Sequence, residues 1–86
     1  MDKIKVYGTR WSPECHRVRQ VLSGHNIIYD WVDIDRDEEA CAYVEKVNGG
    51  YKSVPTIIFP DGSMLIEPDN EILQKKLDDF NNDPAP

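Results

Sequence analysis

Apolar and polar residues follow each other along this chain in patterns that predict four strands and three helices. Short alternating or wholly apolar runs, which are typical of strands, occur at residues 3–7, 27–33, 57–59 and 64–66. Apolar residues at helical spacing follow three polar starting points, which are Ser12, Asp35 or Asp37, and Pro68-Asp69. The predicted order of elements is therefore βαβ-α-ββα.

Each predicted helix has one apolar side. The residues on these sides are Cys15, Val18, Val21 and Leu22 in the first helix, Ala40, Val44 and Val47 in the second, and Ile72, Leu73, Leu77 and Phe80 in the third. A βαβ crossover needs parallel strands and a short hairpin needs antiparallel ones, so we expect a mixed α/β sheet with helices on both faces. Asp30 and Asp33 indicate that the second strand is exposed or lies at an edge.

Size and charge narrow the class of protein. The chain has 86 residues and a formal net charge of −6, which fits one acidic domain, residues 1–80, followed by a flexible tail, residues 81–86. Nucleic-acid binding is disfavoured because it needs a basic face. No apolar run approaches the roughly 18 residues of a membrane span, and the first residues do not resemble a signal peptide. Two cysteines are too few for a secreted disulfide scaffold, so we expect a cytoplasmic monomer.

The segment Trp11-Ser12-Pro13-Glu14-Cys15 joins the first strand to the first helix. A serine N-cap followed by proline at the first helical position is a strong helix start. The spacing is also that of a Cys-x-x-Cys redox motif whose first cysteine is a serine. In such a motif the first sulfur is the exposed nucleophile, which the helix N-terminus keeps as a thiolate, and the second is the resolving thiol. A serine hydroxyl stays protonated, so Ser12 keeps the shape of the site and removes its chemistry.

Together with four further segments, this motif resembles the glutaredoxin family of the thioredoxin superfamily, and within it the short bacterial mycoredoxin and glutaredoxin-like proteins. The segments are Val32-Asp33-Ile34-Asp35, Val47-Asn48-Gly49-Gly50, Ser53-Val54-Pro55-Thr56 and Asp61-Gly62-Ser63. The resemblance covers about residues 3–80 and implies a thioredoxin-like fold with a four-stranded mixed sheet and three helices. It implies thiol–disulfide exchange in cell redox homeostasis, in which position 12 attacks a disulfide and Cys15 resolves it. Since Ser12 departs from the family motif, we expect turnover, glutathionylation and iron–sulfur cluster ligation to be lost or impaired.

The resemblance also implies a ligand site. In the family the proline that corresponds to Pro55 is cis and stands beside the redox motif, so that Val54 would pair through its backbone with an extended peptide or with glutathione. The backbone N–H groups of Asp69 and Asn70, at the start of the last helix, would hold the γ-glutamyl end of glutathione.

Three more residues complete the implied site. Arg10 and Lys52 would meet the carboxylates of glutathione, and Trp11 would form an aromatic wall of the groove. The resemblance implies no covalently bound cofactor. Its co-substrate would be glutathione or a similar low-molecular-weight thiol, and its client would be that thiol or a protein disulfide.

Simpler interpretations of the same residues stay open. Ser12 is a helix cap under any hypothesis, and Cys15 fits a first-turn residue of low reactivity because burial opposes the effect of the helix N-terminus on its pKa. Cys41 fits a small packing residue. The set of Cys15, His16, His25 and Cys41 matches no zinc-ligand spacing, so we expect no metal site.

Two other functions compete with an impaired oxidoreductase. The first is a non-catalytic module of thioredoxin fold that binds glutathione or a peptide. A serine that is native to the gene would favour this function, whereas a serine introduced in place of a cysteine would favour the oxidoreductase. The second makes Ser12 a hydrolase nucleophile with His16 as its base, but no orienting acid or oxyanion device accompanies that pair.

Overall fold

Four strands and three helices make up the computed structural model, which describes residues 3–82. The elements are β1 Ile4–Gly8, α1 Pro13–Gly24, β2 Tyr29–Asp33, α2 Glu38–Val47, β3 Thr56–Ile58, β4 Met64–Ile66 and α3 Asn70–Asn82. The predicted order βαβ-α-ββα is confirmed. Among residues 3–82, none of the helices is long and apolar enough to cross a membrane.

The strands form one mixed sheet in the order β2-β1-β3-β4. β1 runs parallel to β2 and antiparallel to β3, and β3 and β4 form the predicted hairpin. β2 is an edge strand, as Asp30 and Asp33 indicated. The parallel and antiparallel pairings bring the ends of β1, β2 and β4 and the start of β3 to the same edge of the sheet, which is the one that the strand termini form and not the lateral edge at β2.

Side chains alternate between the two faces of the sheet, and helices cover both faces. On one face α1 and α3 bury a core of Ile4, Val6, Val18, Leu22, Ile57, Phe59, Leu73 and Leu77. On the other face α2 buries Ala40 and Val44 with Ile34, against partly buried residues that include Tyr7 and Val54. Adjacent β1 residues therefore serve different cores, Val6 under α1 and α3 and Tyr7 under α2.

Polar caps begin all three helices. Ser12 has extended backbone angles, and its Oγ accepts from the Cys15 N–H at 3.4 Å. Of the two predicted caps of α2, Asp37 is the one used, and its carboxylate accepts from the Ala40 N–H at 3.0 Å. Asp69 precedes α3 and accepts from the Ile72 N–H at 2.8 Å. Each cap satisfies a backbone donor that the helix itself leaves without a partner.

One predicted core position is wrong. Ile72 was expected on the inner side of α3, but its side chain is 52% exposed, whereas Leu73 and Leu77 are fully buried. Consecutive helical residues are about 100° apart, so Ile72 faces away when Leu73 faces inward. Phe80 is half-buried and meets the ring of Phe59 edge-on, with 5.9 Å between centroids.

The element boundaries also differ from the predicted ones. β2 begins at Tyr29 because the Ile27 N–H donates to the Leu22 carbonyl at the end of α1 and Ile28 is exposed. α3 continues to Asn82, beyond the predicted domain end at residue 80. The rest of the predicted tail, residues 83–86, lies outside the described residues.

Candidate functional site

The topology brings three separate segments to one edge of the sheet. β1 ends at Gly8 and leads through a short loop to Ser12. β3 begins at Thr56, directly opposite Tyr7, which places Pro55 at the same edge. The peptide bond between Val54 and Pro55 is cis. These placements put the motif loop (residues 9–12), the Val54-Pro55 pair and the start of α3 on one side of the molecule.

The turn before α3 is tied to the proline segment. β4 ends at Ile66, opposite Thr56, and the next N–H, of Glu67, donates to the Pro55 carbonyl at 2.9 Å. Glu67 has a positive φ of 47°, which is uncommon for a residue with a side chain. The turn therefore directs the chain from β4 into α3 beside Pro55.

Ser12 and Cys15 are both buried. Ser12 is 6% exposed, and Cys15 is 1% exposed. The sulfur of Cys15 lies under β1, since a methyl group placed on Gly8 would be 2.7 Å from Cys15 Sγ and 2.7 Å from the ring of Trp31. The helix start thus presents a capping hydroxyl where a redox motif presents an exposed thiolate, and its remaining thiol is enclosed.

Trp11 is the most exposed aromatic side chain next to the motif. It is 72% exposed, yet its indole N–H donates to the carboxylate of Asp35 at 2.9 Å. Asp35 follows β2 and so reaches Trp11 across the edge of the sheet. This contact was not predicted, because the residues are 24 positions apart and neither belongs to a periodic pattern.

Arg10 and Lys52 are exposed. The ring of His16 is hydrogen-bonded to the backbone of Arg10. His16 Nε2 lies 2.8 Å from the Arg10 carbonyl oxygen. Because a carbonyl oxygen can only accept, Nε2 carries the proton of this hydrogen bond. Only Nδ1 could then act as a base, and among residues 3–82 the Ser12 hydroxyl has a hydrogen bond with the Cys15 N–H and none with His16, so the pairing that a serine hydrolase requires is not formed.

Arg17 links the motif helix to the start of α3, a role that sequence analysis missed. Its guanidinium donates to the Pro68 carbonyl at 2.8 Å, to the Asn70 side-chain oxygen, and to the Glu14 carboxylate at 2.7 Å. The Glu14–Arg17 spacing of three residues on a helix was a visible signal for that one contact. The other two join segments more than 50 positions apart.

A cleft of about 350 Å³ lies between α1 and the start of α3, and its lining residues are Glu14, Arg17, Glu67, Asp69 and Asn70. Asp69 and Asn70, two of the predicted ligand residues, line this shallow and open depression. The Asp69 carboxylate is already used as the helix cap, and its carbonyl accepts from the Leu73 N–H at 3.0 Å. Three acidic residues and one arginine line this cleft, and this balance of charge disfavours a doubly anionic ligand there.

Cys41, on α2, is half-buried. Its thiol donates to the Glu45 carboxylate at 3.5 Å. Burial, followed by this hydrogen bond, raises the pKa of Cys41 above its usual value, and the charges of Glu45 and Asp35 act in the same direction while Lys52 opposes them. Cys41 is therefore a protonated packing residue at neutral pH. Within residues 3–82, no three His, Cys, Asp or Glu side chains converge as metal ligands.

The comparisons with known proteins decide the family. The glutaredoxin family model matches residues 4–64. The chain belongs to the glutaredoxin family. Mycoredoxin 1 of Corynebacterium glutamicum is 38% identical over 68 residues, which cover 79% of this chain and 84% of that protein. A Mycobacterium tuberculosis protein with a provisional glutaredoxin name is 39% identical over 74 residues, which cover 86% of this chain and 88% of its own length.

Solved structures agree with this assignment. A thioredoxin-like protein superposes with a TM-score of 0.74 and 30% identity, over 85% of this chain and 97% of that one. The glutaredoxin of Archaeoglobus fulgidus superposes with a TM-score of 0.71 and 26% identity, over 90% of this chain and 87% of that one. The predicted family and thioredoxin-like fold are confirmed, and the chain is of thiol oxidoreductase lineage.

Proposed function

We propose that this glutaredoxin binds a thiol or disulfide ligand in the groove between the motif loop, Val54 and the start of α3, and that it does not itself carry out thiol–disulfide exchange. The observation that supports this most directly is the state of the motif. Ser12 stands at the nucleophile position as a buried helix cap, and Cys15 is 1% exposed.

The chemistry of exchange explains why Ser12 abolishes it. A thiolate attacks one sulfur of a disulfide, a new S–S bond forms, and the other sulfur leaves as a thiolate. A serine hydroxyl needs a base to become a nucleophile, and among residues 3–82 Ser12 Oγ has a hydrogen bond with the Cys15 N–H and none with a basic side chain. The chain as it stands therefore lacks the attacking group while it retains the surroundings of the site.

The ligand that fits these surroundings is glutathione or a similar low-molecular-weight thiol, or the disulfide of a protein client. Val54 precedes the cis peptide bond and would pair with an extended ligand backbone. The exposed cations Arg10 and Lys52 would meet its carboxylates. The backbone N–H groups of Asp69 and Asn70 would take the end of the ligand that enters the cleft beside Arg17. We further propose that the protein acts as a cytoplasmic monomer.

The first experiment restores the thiol. Reduction of a glutathione mixed disulfide is measured for the chain as it stands and for Ser12→Cys, with Ser23→Cys as the control because it adds a thiol at the exposed end of α1. We expect only Ser12→Cys to turn over substrate above background. Robust activity of the unmodified chain would overturn the loss of exchange, and an inactive but folded Ser12→Cys would overturn the assignment of position 12.

The second experiment measures binding directly. Because Ser12 does not react, oxidised glutathione can be titrated into the unmodified chain and followed by ¹H–¹⁵N NMR. We expect the amide signals of Val54, Thr56 and Asn70 to shift together. If none of them shifts while Ser12→Cys is active, the chain is an inactivated enzyme and not a binding module.

A further inference from the structure

Trp11 combines high exposure with a fixed orientation. An exposed indole usually samples several rotamers, and its apolar surface stays in contact with water until a ligand covers it. Here the indole N–H is bonded to Asp35 at 2.9 Å although the side chain is 72% exposed. The contact satisfies the single polar group of the ring, so the remaining exposed surface of Trp11 is apolar.

Asp35 is itself held in place by a hydrogen-bonded turn. Its N–H donates to the Asp33 side chain at 2.9 Å, and the Arg36 N–H donates to the Asp33 carbonyl at 3.1 Å. The Ile34 N–H donates to the Gly8 carbonyl at 3.0 Å, which ties this turn to the end of β1, just before the motif loop. The carboxylate that receives the indole is therefore presented from a rigid support.

The position of Trp11 gives this arrangement a consequence for ligand choice. Trp11 immediately precedes Ser12, so a disulfide placed against position 12 brings its neighbouring side chain towards the ring. A rigid aromatic surface binds an apolar or aromatic side chain at low entropic cost, since it does not have to be ordered on binding.

We infer that Asp35 is a positioning residue that holds Trp11 as an apolar wall beside position 12, and that this wall selects disulfide ligands with a large apolar side chain next to the disulfide. The inference rests on the proposed function and names its ligand class. It makes Asp35 a determinant of specificity although the carboxylate does not touch the ligand.

The orientation of Trp11 is tested without any ligand. Trp11→Phe assigns the indole N–H signal of Trp11 and separates it from that of Trp31. We expect Asp35→Ala to move the Trp11 indole signal and to accelerate its exchange with water. Asp35→Asn keeps an acceptor oxygen and should preserve both properties, whereas Asp30→Ala, which removes an exposed carboxylate elsewhere on β2, should change neither. An unchanged indole signal in Asp35→Ala would overturn the positioning role.

Ligand choice is tested with two S-glutathionylated tetrapeptides that differ only in a Phe or an Ala next to the modified cysteine. Neither is consumed, because Ser12 does not react. We expect the unmodified chain and Asp35→Asn to bind the Phe peptide about threefold to tenfold more tightly, the usual size of one aromatic contact. In Asp35→Ala and Trp11→Ala the preference should fall below about twofold.

The outcomes separate this inference from the proposed function. Equal binding of the two peptides by the unmodified chain overturns the selection by Trp11 but leaves the binding function intact. A preference that survives in Asp35→Ala overturns the role of Asp35. The absence of binding of either peptide, together with no response to oxidised glutathione, overturns both proposals.

Discussion

Gly8 and Cys15 are in direct contact across the junction between β1 and α1. A methyl group on Gly8 would lie 2.7 Å from the Cys15 sulfur and 2.7 Å from the nearest ring atom of Trp31. Both distances are too short for carbon in van der Waals contact. Only glycine therefore lets the strand approach the first turn of the motif helix this closely, and this approach encloses the Cys15 thiol.

The first prediction concerns this contact. Gly8→Ala forces the backbone or the Trp31 ring to move, and overpacking of this kind costs about 1–3 kcal/mol of unfolding free energy. Urea denaturation measures it. Gly24→Ala is the matched control, because no atom lies within 4 Å of the added methyl group. It should be neutral or stabilising by about 0.5–1 kcal/mol, as for Gly to Ala in a helix. Equal stability of both variants would contradict the close approach.

Thiol reactivity provides the second prediction. Cys15 is enclosed, and the pKa of Cys41 is raised by burial and by the hydrogen bond to Glu45, so both should react slowly with iodoacetamide at pH 7. As the pH rises, Cys41 should gain reactivity first. Mass spectrometry of the labelled peptides separates the two sites.

Variants of Glu45 test the cause of the Cys41 shift. Glu45→Ala removes the acceptor of the thiol hydrogen bond and a nearby negative charge, so Cys41 should be labelled faster at pH 8. Glu39→Ala removes an exposed carboxylate from the same helix and should have little effect. Rapid alkylation of Cys15 at pH 7 would mean that the nucleophile has moved to the second motif position, and the non-catalytic proposal would have to be dropped.

Local chemistry explains which parts of the fold were predictable. The starts of the helices follow from short-range contacts, such as that of Ser12 Oγ with the Cys15 N–H three residues later. The sheet follows from connection lengths, since the crossover through α1 requires a parallel pair and the turn at Gly62 an antiparallel one. These relationships are present in the order of residues alone.

Contacts between distant residues were not predictable in the same way. The bond from Trp11 to Asp35 depends on the register of β1 against β2 and on two side-chain rotamers. Ile72 and Leu73 are both apolar and adjacent in sequence, and only the packing of α3 against the sheet decides which of them is buried. The site residues were chosen through the family resemblance, which included Asp35 in one of its segments without giving it a role and did not indicate the bridge made by Arg17.

The third prediction concerns Arg17, whose side chain is 27% exposed and whose guanidinium bridges α1 to Pro68 and Asn70. Arg17→Ala leaves these acceptors without their donor, so we expect a loss of roughly 1–3 kcal/mol of unfolding free energy. Arg17→Lys should recover only part of the loss, because an ammonium group cannot reach three partners as the forked guanidinium does. Arg36→Ala is the control, since that side chain is 73% exposed and its loss should be below about 1 kcal/mol. Equal effects of Arg17→Ala and Arg36→Ala in urea denaturation would contradict the bridge.

The last prediction compares two buried threonines. Thr9 is 3% exposed, and its hydroxyl has no hydrogen-bond partner among residues 3–82. Thr56 is fully buried, but its hydroxyl donates to the Ser53 carbonyl at 2.8 Å and accepts from Asn48 at 3.2 Å. A buried hydroxyl without a partner carries a desolvation penalty, which replacement by a methyl group removes.

Thr9→Val should therefore raise the free energy of unfolding by about 1 kcal/mol, whereas Thr56→Val should lower it by about 1–3 kcal/mol because the partners of the hydroxyl stay buried. Urea denaturation of both variants under identical conditions measures the difference, and an unchanged urea slope shows that the native states remain comparable. The oxidised glutathione titration should give the same response in Thr9→Val as in the unmodified chain. A loss of stability in Thr9→Val comparable to that in Thr56→Val would mean that the Thr9 hydroxyl is hydrogen-bonded in solution, and its site in the motif loop would then hold an ordered polar partner.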